Sequence, residues 1–209
     1  MLELVMVIVV MGILAAVAIP RMERDLRQEA GDNILSAIRY TQHLALMDNK
    51  INPTDPNWQM TLWQIRFSSY TDSAGKTRWF YTVASNMAEN AGNISKNDAA
   101  VDPANGKLMW NLGGDDTIDA DESPNIFIGR KYGVDTVTFS GGCQNAGQHI
   151  AFDHEGRPYV DIFTATNDFS KLMASDCTIT FGFEDGASNL MITIAKETGY
   201  TQIVGQNGS

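Results

Sequence analysis

Three adjacent side chains that could pass a proton, Asp153-His154-Glu155, stand inside the phrase Phe152-Asp153-His154-Glu155-Gly156-Arg157-Pro158-Tyr159. Acid–base or nucleophilic catalysis would need a partner group held in register with them. No nucleophile motif accompanies the triplet, and the chain has three histidines, His43, His149 and His154. The plainer reading is a strand ending at Phe152 and a tight turn that needs Gly156. Arg157 would then pair with Asp153 or Asp161. His43 reads as a solvated residue. The expectation is that the protein is not an enzyme.

A second cluster could bind a cation. Gly113-Gly114-Asp115-Asp116-Thr117-Ile118-Asp119-Ala120-Asp121-Glu122-Ser123 holds five carboxylates within residues 115–122. Calcium takes several oxygen ligands from a flexible loop, so Asp115, Asp116, Asp119 and Asp121 are its candidate ligands. The spacing does not follow the EF-hand pattern, and a solvated acidic loop is the simpler alternative. Zinc is not expected, because two cysteines and three histidines show no ligand spacing.

Charge narrows the partners. The formal net charge is -10, and residues 51–209 hold 19 acidic against 10 basic side chains. That balance disfavours nucleic acid and anionic surfaces.

These residues need elements to carry them. Trp58–Phe67 alternates loosely, Asp72–Lys76 makes a turn, and Thr77–Val83 returns as a partner strand. Further strands are expected at Lys107–Leu112, Val134–Ser140 and His149–Asp153. Cys177–Glu184 and Asn189–Ala195 form a hairpin about Asp185-Gly186, with a last strand at Thr201–Val204. Asp102-Pro103-Ala104-Asn105-Gly106 reads as a turn. The long loops are Ser85–Asn105 and Gly113–Pro124. Residues 51–209 suffice for one compact β-rich domain.

The N-terminus reads differently. From Leu4 to Ile19 no residue carries a charge, and Glu3 stands just before that run. As a helix the first twenty residues would rise about 30 Å, the thickness of bilayer hydrocarbon. A cleaved signal would need a basic start, and no Lys or Arg precedes Arg21. A buried core helix is the other alternative. The expectation is a membrane anchor at residues 1–20, changing near Pro20 to an amphipathic half at 21–50. Its apolar stripe is Leu26, Ala30, Ile34, Ala37, Ile38, Thr41, Leu44 and Ala45. Arg27, Glu29, Asp32, Arg39 and Gln42 form the other face. A carboxylate such as Glu3 costs about 2.5–3.5 kcal/mol deep in lipid, so it should have a partner. Behind an anchor, in an oxidising compartment, Cys143 and Cys177 could form a disulfide worth roughly 3–4 kcal/mol. Two buried thiols are the alternative.

Leu2-Glu3-Leu4-Val5 running into Val9–Pro20 resembles the N-terminal helix of type IV pilins and type II secretion pseudopilins. Phe152–Tyr159 is similar to a strand-turn phrase of minor pseudopilins of the H type. The resemblance implies an α+β, pilin-like fold: a long N-terminal helix, transmembrane then amphipathic, carrying a β-rich periplasmic head. It implies a single-pass inner-membrane protein, cleaved by a prepilin peptidase from a longer precursor and methylated at the new N-terminus. The start at Met1 lacks the processing site, so the true N-terminus is expected upstream. Glu3 would neutralise a neighbouring subunit's terminal amine, and Pro20 would kink the stem. The expected role is a minor structural subunit of a secretion pseudopilus or pilus. Its partners would be other pilin subunits, an inner-membrane assembly platform and the lipid bilayer. Two alternatives remain open, a DNA-uptake minor pilin and a plain membrane-anchored periplasmic protein. The first is weakened because residues 140–209 hold only Arg157, Lys171 and Lys196 as basic residues.

Overall fold

The computed structural model describes residues 2–87, 94–111, 117–164, 168–186 and 188–206; within the first helix, side chains are described at 5–13 and 26–46. Helix α1 (Leu2–Leu46) leads into a head built from two antiparallel sheets. The first has β1 (Trp63–Thr71), β2 (Thr77–Ser85), β4 (His149–Phe152) and β5 (Pro158–Tyr159), in the order β2-β1-β4-β5. The second has β3 (Val134–Gly141), β6 (Cys177–Phe183), β7 (Leu190–Ile194) and β8 (Thr201–Ile203), in the order β3-β6-β7-β8.

The period of two explains how the first sheet buries both faces. Ile65 and Phe67 on β1 enter the main core with Val83 and Tyr81 of β2. Phe67 meets Phe139 at 6.0 Å and Phe181 at 5.5 Å, both from the second sheet, so one ring joins the layers. On the opposite face Ala151 and Tyr159 join Trp58, Leu62 and Ile162 in a smaller core. A short helix α2 (Ile128–Tyr132) closes against β2 and stops at Gly133, which takes φ 74°.

Helix α1 seats its C-terminal half on this head. Ala30, Ile34, Ala37, Ile38, Thr41 and Ala45 are buried, as the apolar spacing requires, while Leu26 is exposed. Leu35 joins the core from outside the expected stripe. The face expected to be only polar also holds the head. Gln42 Nε2 donates to the carbonyls of Gly156 (2.9 Å) and Thr198 (2.8 Å), and Arg39 donates to Thr201 C=O at 2.9 Å. Arg27 pairs with Asp185 at 2.8 Å.

The structure corrects several expectations. Among the described residues no helix is long and apolar enough to cross a membrane. The described apolar side chains of the run, residues 5–13, rise only roughly 14 Å along the helix, short of the roughly 30 Å a bilayer core demands. The transmembrane helix expected at residues 1–20 is therefore withdrawn, with the single-pass inner-membrane placement and the transmembrane pilin assignment that depended on it. The α+β pilin-like class gives way to a β-rich globular fold of two antiparallel sheets. Residues 58–61 form a 3-10 helix, and the strand begins only at Trp63, because Trp58 and Leu62 turn into the smaller core. Of the strand expected at Lys107–Leu112, the described residues 107–111 form none; Leu108 makes isolated bridges to Val101 and Glu122.

Candidate functional site

The most exposed apolar surface among the described residues lies on α1. Val5, Met6, Val7, Ile8, Val9, Val10, Met11 and Ile13 are each more than half exposed, Met11 at 67%. Helical geometry spreads consecutive apolar residues around the whole circumference, so this segment is apolar on every side. An isolated surface residue of this kind needs no explanation, but a contiguous set marks a contact surface. The side chains of Glu3 and Pro20, the expected assembly residues, lie outside the described residues.

Between α1, α2 and the head lies a cavity of about 370 Å³. Its floor is Tyr81, whose hydroxyl donates toward Asn33 Oδ1 (3.1 Å) and Asn125 C=O (3.4 Å). One wall is Asp102, which is buried. Its carboxylate accepts from Ala104 N–H (2.8 Å), Asn125 Nδ2 (2.9 Å), Asn105 Nδ2 (3.1 Å) and the Ser123 hydroxyl. Burial works to raise Asp102, yet those four donors prevail and hold it below the usual carboxylate range. Burial raises Tyr81 and Tyr40, and the Asp102 charge adds to both. At the rim, Lys131 Nζ pairs with Glu29 at 2.9 Å and stands 4.9 Å from the Tyr132 ring centre. The turn Asp102–Gly106 was legible in the sequence; its links to Ser123 and Asn125 across the fold were not.

The other sequence candidates separate. Asp153 is fully buried, and its carboxylate accepts from the N–H groups of Glu155 (3.0 Å) and Arg157 (2.9 Å) and from Arg157 Nε (2.8 Å). Of the two acids offered to Arg157, Asp153 takes it, while Asp161 pairs with Lys171. His154 Nδ1 is buried without a hydrogen-bond partner, and Asp153 staples the turn through the Glu155 and Arg157 N–H groups. His149 is buried on β4 and accepts at Nε2 from Ile162 N–H (3.4 Å). That bond assigns the proton to Nδ1, which faces Gly147 C=O at 3.4 Å. Burial pushes this imidazole down to about 4.

Cys143 and Cys177 are joined by a disulfide, linking the turn that follows β3 to the first residue of β6. Among the proposed calcium ligands, Asp115 and Asp116 lie outside the described residues. Asp119 and Asp121 reach Lys96 Nζ at 3.3 and 2.8 Å. Glu122 of the same loop is buried and accepts from Asp119 N–H at 3.2 Å; burial raises its carboxyl. Among the described residues no group of three or more His, Cys, Asp or Glu is arranged to hold a metal ion. Compared with protein-family models, curated proteins and solved structures, the chain matches none.

Proposed function

We propose that the protein is a structural subunit, of the minor kind, that joins a pilus or secretion-pseudopilus filament by packing its N-terminal helix against the helices of other subunits. One observation carries this reading: the segment Val5–Met11 with Ile13 is exposed, uncharged and apolar around its circumference, on a helix whose other half is seated on a folded head. Burying each such side chain is worth about 1.5–3 kcal/mol, so eight of them strongly favour association over exposure to water. Helix against helix satisfies every backbone group within each partner and leaves only side chains to interlock. The resemblance of Leu2–Pro20 to filament-forming helices supports the same reading.

The test is electron microscopy and sedimentation of the full chain beside Val9→Asp and Ile13→Asp. The reading expects ordered assemblies or co-assembly with related subunits for the parent chain, and loss of both in the variants with the head still folded. Assemblies unchanged by either aspartate would sink it.

A further inference from the structure

The crevice between α1 and the head has a chemistry that helix packing does not use. Three carboxylates, Glu29, Asp32 and Asp102, line it against one ammonium, Lys131. Its aromatic walls are Tyr40, Tyr81 and Tyr132. At the rim this combination already holds an alkylammonium: Lys131 sits on the Tyr132 face and on the Glu29 carboxylate together. Deeper in, Asp102, Tyr40 and Tyr81 repeat that pairing of acid and ring around about 370 Å³. Neutral amides and hydroxyls, with one backbone N–H, fix Asp102, and none of them cancels its charge. Arg39, the basic neighbour on α1, is turned to Thr201 C=O.

We propose that this crevice is a binding site for a single alkylammonium or guanidinium group. The cation lies against Tyr40, with its charge facing Asp102 and Asp32. An anion is repelled by the excess of carboxylates, and a neutral ligand gains only apolar contact. Lys131 keeps the rim occupied, so selection favours a slender chain ending in one positive charge. The group arrives either on a free small amine or on a basic side chain of another copy of the chain.

The test is calorimetric titration of the full chain with butylguanidinium, with butylurea as the neutral isostere. Expected is saturable binding of the cation alone, weakened by added salt. Asp32→Asn, an exposed position, should weaken it roughly tenfold without moving the melting temperature, and Asp102→Asn should abolish it. No saturable cation binding, equal binding of butylurea, or unchanged affinity in Asp32→Asn overturns the proposal. Should Asp102→Asn fail to fold, Asp32→Asn still decides. Sedimentation with and without butylguanidinium then identifies the source. Release of smaller species assigns the cation to another copy's side chain, and an unchanged distribution assigns it to a free amine.

Discussion

His149 shows how burial converts one side chain into a pH-dependent term. Its ring is 3% exposed, and burial lowers its pKa from about 6.5 to about 4. Between those values the unfolded chain binds the proton and the folded chain does not, so stability is full above pH 6.5 and falls as pH drops toward 4. The loss should be on the order of 3 kcal/mol. NMR titration of the His149 ring should give a midpoint near 4, whereas a midpoint near 6.5 would show a solvated ring. Gly199 makes a steric case at the same scale. It holds φ 65°, and a Cβ there would lie 2.4 Å from Gly156 C=O and 2.5 Å from Gln42 Nε2. Gly199→Ala should cost about 1–3 kcal/mol in thermal unfolding, because strain and lost Gln42 bonds add. An unchanged melting temperature would mean the helix seat does not depend on this approach.

Between elements, the disulfide joins Cys143, two residues past β3, to Cys177 of β6, beside the Gly141–Cys177 pair that ends the β3–β6 ladder. Closing a separation of 34 residues should contribute about 3–4 kcal/mol through the unfolded chain. Cys143→Ser with Cys177→Ser should lower the denaturation midpoint accordingly, with β-sheet circular dichroism retained below it. A midpoint equal to the parent's would remove the bridge from the stability argument. Helix α1 belongs to the same scale. Its seated half is held by a buried stripe and by hydrogen bonds to loop carbonyls, not by propensity alone.

For the whole molecule, the two halves of α1 should behave as separate units. Residues 5–13 are exposed and the head is packed from residue 30 onward. Val9→Asp should leave the head's unfolding free energy within about 0.5 kcal/mol of the parent's, as surface changes do, while removing self-association in sedimentation. A head that unfolds in this variant would show that the apolar segment is part of its core.

Periodicity made much of this architecture readable before any fold was known. The strands at Thr77–Val83, Val134–Ser140 and His149–Asp153 and the hairpin about Asp185-Gly186 follow from alternation and turn chemistry, both local properties. So does the buried stripe from Ala30 to Ala45. Alternation failed where the long range decides. Trp58–Thr61 looks like strand but winds into a 3-10 helix to reach Tyr159 and Ile162, and α2 is too short to show a period. Composition suggested a membrane-length helix, because apolar content is additive along the sequence; no membrane-crossing helix is found among the described residues. The acids show the same limit. Asp102, Glu122 and Asp153 look alike as letters. One is fixed by four donors at the wall of a cavity, one is buried and raised, and one staples a turn. The sequence by itself determined strands, turns and the apolar stem. Only tertiary structure decided which carboxylates leave water, because burial depends on what the rest of the chain brings alongside.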